Sequence, residues 1–532
     1  MKRTRLFTSA ILRSTLSLCL FLIGMSTSAQ KNTKPAQNNT INIHHANSLN
    51  SDKRLGDGAQ RLIGNVELEN AGVLMDCDSA YIFKDNSCHA FGHVHMIKKD
   101  SMDLYGDSIY YHGDSRKAEM FGNIRYLRKS LTLVTHHLLY IADSSRANFW
   151  DGGTVTDSAT VLISKRGTYF MRKRICAFKD SVVLTNPSYV IHCDTMAYEP
   201  DKQTAHFSGP THITGKNTNM YCVAGFYNSH TGVSDFWHHA IITSKKGEKL
   251  SGDSLYYDKK KDFGVVTNNV SLTDSIDNIV IKGEYAVYTG ADRTIMVTRH
   301  ALMDQLFEKD TLHLHGDTLF GYNISMTDSN KAAKTPKLLL AYHHVKFYKK
   351  DMQGKCDSLS YDEKDSTMRM FYKPVVWANE NQMTADTVRL LMAHKKLDVL
   401  DMRHNSFIIS RDTLASKEDS LQFNQIKGRN MKGYFVKNKI HKVKVMGNAQ
   451  TIYYVYSDNN KTIVGANRAD CSNMLIYIDS NKVKSITYLD KPDATMFPKK
   501  DIKPSEFLLG NFSWRIKERP MRKEDIFKVD LP

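Results

Sequence analysis

What this 532-residue chain lacks narrows its function first. It has no G-x-S-x-G elbow, no H-E-x-x-H pair, no P-loop and no G-x-G-x-x-G turn. No local signature is left for a nucleophile, a zinc hydrolase or a nucleotide cofactor. Beyond the first 29 residues no run of about 18 apolar residues occurs, so no further transmembrane helix is expected. Tryptophan is scarce at four residues, against 26 tyrosines and 23 phenylalanines, a balance that suits strands better than helical bundles. Of only 11 prolines, five (Pro492, Pro498, Pro504, Pro520, Pro532) fall in the last 42 residues. The body of the chain can therefore form central strands and the tail cannot.

Cysteine is sparse too. Beyond residue 29 there are seven, an odd number that argues against a fully paired disulfide framework. Cys77, Cys193 and Cys356 fill the same slot before an aspartate and read as small apolar fillers. Cys193 and Cys222 are 29 residues apart. If that interval is one turn of a parallel coil, they lie about 5 Å apart and can bridge; if it is two antiparallel passes, about 10 Å, and they cannot.

The first 29 residues have the layout of a secretory signal peptide. Lys2, Arg3, Arg5 and Arg13 form a basic front, an apolar run follows from Leu16 to Ile23, and Ser26-Thr27-Ser28-Ala29 precedes Gln30. Removing it leaves 69 basic residues against 56 acidic ones, a net charge of +13. That excess favours an anionic partner. Beyond an export signal, phosphorylated lipid or an anionic membrane surface fits and nucleic acid does not.

What is present is a repeat. Gly106-Asp107-Ser108-Ile109-Tyr110-Tyr111 returns as Gly252-Asp253-Ser254-Leu255-Tyr256-Tyr257, with variants at Cys77-Asp78-Ser79, Cys193-Asp194-Thr195 and Cys356-Asp357-Ser358. A second signature alternates with it: Gly64-Asn65-Val66, Gly92-His93-Val94, Gly122-Asn123-Ile124, Asn268-Asn269-Val270. Successive copies lie roughly 28 to 32 residues apart, the mark of one supersecondary unit stacked along an axis. Apolar residues alternate around each signature, as in half-buried strands. The expectation is an all-β, elongated stack with two apolar rows. The first comprises Val66, Leu68, Val94, Met96, Ile124, Val182, Leu184, Val270 and Leu272; Ile109 and Leu255 stand for the second. Gly-Asn and Asp-Ser are read as tight turns between strands, since both supply positive φ or side-chain bonds to the backbone. A catalytic residue is not needed in every copy, so the repeated Asp-Ser is not read as catalytic.

The predicted organisation is a signal segment at 1–29, a flexible polar leader at 30–54 and a repeat array at 55–400. A less regular continuation follows at 401–490, then a proline-rich basic tail at 491–532 that covers the open end of the array. Histidine pairs (His93/His95, His136-His137, His238-His239, His313/His315, His343-His344) lack a third ligand at fixed spacing, so no metal or other cofactor is expected. A stack open along one edge would present an apolar trough suited to acyl chains, with a basic rim suited to phosphorylated head groups. A closed stack would simply be core. At about 4.8 Å per strand, about 14 periods span about 65 or 130 Å, depending on whether each adds one or two strands per sheet.

The units Leu62-Ile63-Gly64-Asn65-Val66-Glu67-Leu68, Met75-Asp76-Cys77-Asp78-Ser79-Ala80-Tyr81 and Leu104 to Tyr111 resemble the OstA-like repeats, over roughly residues 55 to 480. That family includes the periplasmic lipopolysaccharide-transport bridge protein LptA and the N-terminal domain of LptD. The resemblance implies a twisted β-jelly roll (β-taco) of antiparallel strands. It also implies an apolar groove carrying lipid A acyl chains, a periplasmic location, and edge-strand docking onto other transport components. The chain is longer than the single-domain bridge protein and lacks the girdled strands of an outer-membrane barrel. It looks like the long, barrel-free members from the Bacteroidota. Two rival readings stand beside it: a structural or adhesive surface repeat with a filled core, and a polysaccharide-acting β-helix enzyme with carboxylates clustered on one rung.

Overall fold

The structure is a computed structural model that describes residues 40–51, 58–99, 102–245, 247–307, 310–322, 337–393, 396–411, 422–436, 439–457, 462–479, 482–503 and 507–529. The expected signal segment lies outside these residues. The strands of the described residues form one continuous hydrogen-bonded network, and every pairing in it is antiparallel.

The chain is a meander of hairpins in which each long strand bends at its middle. The strands Gln60–Asn70, Val73–Ile82, Cys88–Lys98, Met102–His112 and Lys117–Arg128 show the plan. In the first pair, Ile63 faces Ser79 and Val66 faces Cys77, so Gly64 and Asn65 together oppose Asp78 alone. In the third, Gly92 and His93 oppose Asp107 in the same way. Two residues against one is a β-bulge, which bends the strand and sharpens its twist. Repeated in register, the bulges form a corner running the length of the molecule. Each strand thus contributes one half to a first wall and the other half to a second.

The corner corrects the sequence reading. Gly-Asn and Asp-Ser do not separate strands; they meet in the middle of them, and the hairpin turns lie elsewhere. Turns and bulges both require positive φ, so residue type alone does not tell them apart. Gly64, Gly92 and Gly122 have φ of +82°, +76° and +75°, and Asn65 and His93 both +44°. A Cβ on Gly92 would lie 2.2 Å from Asp78 Oδ2, and one on Gly122 2.1 Å from Asp107 Oδ2. The aspartate fills that space to bond the neighbouring bulge. His93 Nδ1 lies 2.8 Å from Asp78 Oδ2, while Asn123 and Asn269 donate to Asp107 and Asp253 at 2.9 and 3.0 Å. His344 and Asn405 meet Asp317 and Asp386 in the same manner. Much of the histidine pairing noticed in the sequence is therefore corner chemistry, with histidine standing where other copies carry asparagine.

One period is two antiparallel passes. Cys193 and Cys222 sit on the strands Tyr189–Glu199 and Thr218–Asn228, with Thr204–Gly215 between them, and both thiols are free and buried. Each wall gains two strands per period and extends about 130 Å, roughly 27 steps of about 4.8 Å. Where the bend is sharpest, a strand breaks in two, as at Thr160–Ser164 and Arg166–Phe170. The region predicted to be irregular instead holds the longest bent strands: Lys396–Arg411, Phe423–Val436, Lys439–Tyr456 and Ile463–Asp479. Within the leader, Asn42–His45 and Ser48–Ser51 pair with Gln60–Asn70 with their own side chains exposed; Ile41 and Ala46 pack against the core and His44 meets Glu69, so pairing and these contacts order a segment that composition marked as flexible.

The tail also departs from its expected place. Rather than closing the end of the array, residues 507–529 run back along the outer face of the second wall. Three buried glutamines hold them there. Gln425 donates to the Phe507 carbonyl (3.2 Å) and accepts from the Leu509 N–H (2.8 Å). Gln382 does the same with Ser513 and Arg515, both at 2.7 Å. Gln353 accepts from Arg519 Nε at 2.8 Å. Each amide acts as a piece of strand edge for a segment that joins no strand ladder. Phe507 and Leu509 close a small second core with Phe407, Ile409, Phe423 and Tyr454, and Phe512 and Trp514 pack against it.

Candidate functional site

Between the walls lies one unbroken apolar core, running from Leu62 to Ile476. The residues predicted from sequence all reach it. Val66, Leu68, Val94, Ile124, Val182, Leu184, Val270 and Leu272 are buried on the inner face of the second wall, and Ile109 and Leu255 on that of the first. Met96 is half-buried and packs against the same core. Alternation places the next residues outside: Glu67 and Arg125 are exposed on the second wall's outer face.

Side chains fill this interior. An apolar cavity bounded by Tyr126, Leu131, Leu133 and Val155 from the second wall and by Phe149, Tyr169, Cys176 and Phe178 from the first encloses only about 10 Å³. An acyl chain could occupy the inner face only by parting the walls, so the structure of the line where they meet matters most.

That line is a seam opposite the corner, where the hairpin turns of the two walls approach. Backbone hydrogen bonds outside the strand ladders follow the corner or link each turn to the next in its own row. An example is Ala142 N–H to the Arg116 carbonyl, and another Ser229 N–H to Gln203. None among the described residues joins a first-wall turn to a second-wall turn. Side chains close the seam instead. Arg128 Nη1 donates to the Tyr169 hydroxyl at 2.8 Å, and the Tyr198 hydroxyl donates to Asp157 Oδ2 at 3.1 Å. The Tyr189 and Tyr227 rings meet edge to face, 4.7 Å between centroids. Lys337 reaches across to Asp274 (2.5 Å) and Asp277 (2.6 Å).

A tyrosine column underlies these contacts. Tyr111, Tyr140, Tyr169, Tyr198, Tyr227 and Tyr257 recur at steps of 29, 29, 29, 29 and 30 residues. Each sits at the turn end of a first-wall strand, its ring against the core or within it; the Tyr169 and Tyr198 hydroxyls meet second-wall partners, and that of Tyr257 donates to Asp262 in its own turn. Burial raises the hydroxyl pKa of each one. Tyrosine suits such a boundary because its body is apolar and its tip polar. Beside Asp157 and Tyr198 the seam widens into a cavity of about 220 Å³, lined also by Ser158, Asn186, Ser188, Gln203 and Ser229. At Lys337 burial opposes the charge, but hydrogen bonds and attraction from Asp274 and Asp277 outweigh it and hold the ammonium above the usual lysine range. Asp274 is the mirror case. Burial acts to raise it, yet Lys337 and the backbone N–H groups of Asp277 and Ile276 leave it below the usual carboxylate range.

The sequence reading located the inner faces and missed the seam. Its signal was present in the 29-residue spacing of tyrosines, which reads as one more apolar row until the turns are placed. Among the described residues no group of three or more His, Cys, Asp or Glu could hold a metal ion, and no helix is long and apolar enough to cross a membrane.

Residues 38–194 match the family described as OstA-like protein. No curated protein matches the chain. Among solved structures, similarity is found to LptH of Pseudomonas aeruginosa, described as the LptA homologous periplasmic component of the conserved lipopolysaccharide transport device. It covers 28% of this chain and 95% of LptH, at 14% identity and a TM-score of 0.21.

Proposed function

We propose that this protein binds lipopolysaccharide or a related anionic glycolipid in the periplasm and passes it toward the outer membrane, with the lipid A acyl chains between the two walls. One observation carries the reading: an apolar interior continuous along the array is closed on one side by a backbone corner and on the other only by side chains. The walls can part along the seam without breaking a strand ladder. The OstA-like match over residues 38–194 supports the same reading.

Magnitudes favour opening by lipid. Each buried methylene contributes about 0.8 kcal/mol, so one chain of about a dozen contributes roughly 10 kcal/mol. Parting the walls also uncovers their inner faces, which the inserted chain covers again, and beyond that exchange the lipid must replace seam hydrogen bonds worth about 1.5–3 kcal/mol each where a charged group takes part. The process is passive, and energy comes from a partner. At the two ends the strands Asn42–His45 and Ser48–Ser51, and Lys482–Leu489 and Asp493–Pro498, pair on one side only among the described residues. Such open edges suit end-to-end strand addition by other OstA-like components.

The test is binding of intact lipopolysaccharide against the same glycolipid stripped of its acyl chains. Saturable binding of the first alone supports the proposal. Equal binding of both places recognition on the glycan and removes the groove. The filled interior favours a second reading, a structural repeat, and binding of neither lipid by folded protein would establish it.

A further inference from the structure

One cross-strand row on the outer face of the first wall changes character along its length. Tyr256, Val265, Val287, Met296, Phe320 and Leu340 stand directly opposite one another on successive strands, all half-exposed. After Ser360 the same row reads Arg369, Arg389, Asp401, Lys432, Lys444. The apolar part spans about 24 Å and the basic part about 19 Å at about 4.8 Å per strand. Arg369 faces Arg389 and Lys432 faces Lys444, two like-charge pairs of the kind that weakens a sheet. Asp401 lies between the pairs and also accepts from Arg403 at 3.0 Å, while Arg369 is bound to Asp365. Beside the row, the Lys442 ammonium lies over the rings of Tyr434 and Tyr477 at 5.6 and 5.8 Å.

We infer that this face docks on the surface of an anionic phospholipid bilayer, the basic part against head-group phosphates and the apolar part at the boundary below them. The basic residues are spread along one cross-strand row rather than gathered around one point. The row offers several weak Coulomb contacts at once, the chemistry of a charged surface. The adjoining apolar run selects a bilayer over a soluble polyanion, which would have no use for Val287 or Phe320. The inference is independent of what the interior carries.

The experiment is co-sedimentation of the purified protein with vesicles of phosphatidylcholine, with and without phosphatidylglycerol. Binding is expected only when phosphatidylglycerol is present, and it should fall steeply as salt rises. Each cation near such a surface is worth about 1 kcal/mol, so Lys432→Gln/Lys444→Gln should weaken binding about 30-fold. Lys84→Gln/Lys129→Gln, equal in charge, exposed and near the other end of the array, should leave it unchanged. Met296→Ser should weaken binding with little change in its salt dependence. Equal binding to both vesicle types, or the same loss in both double variants, would overturn the inference. So would binding of lipopolysaccharide aggregates or duplex DNA through Lys432 and Lys444 when phosphatidylglycerol vesicles do not bind. The salt titration of the unmodified protein keeps the test valid if a variant fails to fold.

Discussion

Replacing Tyr198 by phenylalanine removes one seam latch and little else. The ring stays in the core, only 4% exposed; what is lost is the hydroxyl bonded to Asp157, itself 7% exposed. A hydrogen bond to a charged group contributes about 1.5–3 kcal/mol. Two features favour the lower figure. Asp157 keeps its 2.7 Å bond from Ser130, and the 220 Å³ cavity alongside can admit water to the freed oxygen. A loss of about 1.5 kcal/mol raises the population of locally opened seam about tenfold. In a stacked array such an effect stays close to its own rung. Amide hydrogen exchange in the turns around residues 158–160 and 200–203 should therefore quicken about tenfold, while turns beyond residue 350 keep their rates. If lipid enters by the seam, the binding-competent fraction rises with it, and apparent affinity should improve by up to about tenfold. A destabilising substitution that tightens lipid binding is an unusual outcome. Faster exchange with unchanged or weaker lipid binding would refute the seam as the route.

The tail supports two further predictions. Gln382→Leu leaves the Ser513 carbonyl and the Arg515 N–H without partners, a loss of about 2–3 kcal/mol at two hydrogen bonds. Limited trypsin digestion should then cut at Arg515 and Lys517 well before it cuts the array; unchanged cleavage would contradict the clamp. Arg515, acting against burial and helped by Lys355, holds the Glu518 carboxyl at about 2, where 4.5 is ordinary. A depressed carboxylate pKa stabilises the fold above the unfolded value, and that contribution is lost as pH falls from 4.5 toward 2. Pepsin should release the tail increasingly across that interval. Glu518→Gln should loosen the tail above about pH 4.5 and flatten the dependence, the two proteins converging near pH 2; an unaltered pH profile in the variant would contradict the assignment.

How far the sequence could be read depended on range. The 29-residue period, the alternation and the inner faces are local properties, and Val66, Leu184 and Leu272 could be named from neighbours within a few residues. Gly92-His93 and Asp107-Ser108 were legible as positive-φ chemistry but not as a bulge, because a turn demands the same residues. Only strand pairing, fifteen residues away, separates the two. The glutamine clamp was hidden by spacing. Gln353 and Gln382 are one period of 29 apart, but Gln382 and Gln425 are 43 apart, so the period does not join all three. Their partners, Phe507 to Arg519, carry no complementary pattern, since they bond through backbone. The basic row could not be seen either, as Arg369, Arg389, Lys432 and Lys444 come together only when strands are set in register.

The most direct test of the account places photocrosslinking side chains at Met96, Leu184 and Leu272 on the inner face, and at Glu67 and Arg125 on the outer face of the same wall. The purified protein is then exposed to lipopolysaccharide and irradiated. The account predicts lipid adducts at the three inner positions and none at the two outer ones, with Tyr198→Phe raising the yield at Leu184. Equal labelling of both faces, or none on either in folded protein, would contradict it and leave the interior as core alone.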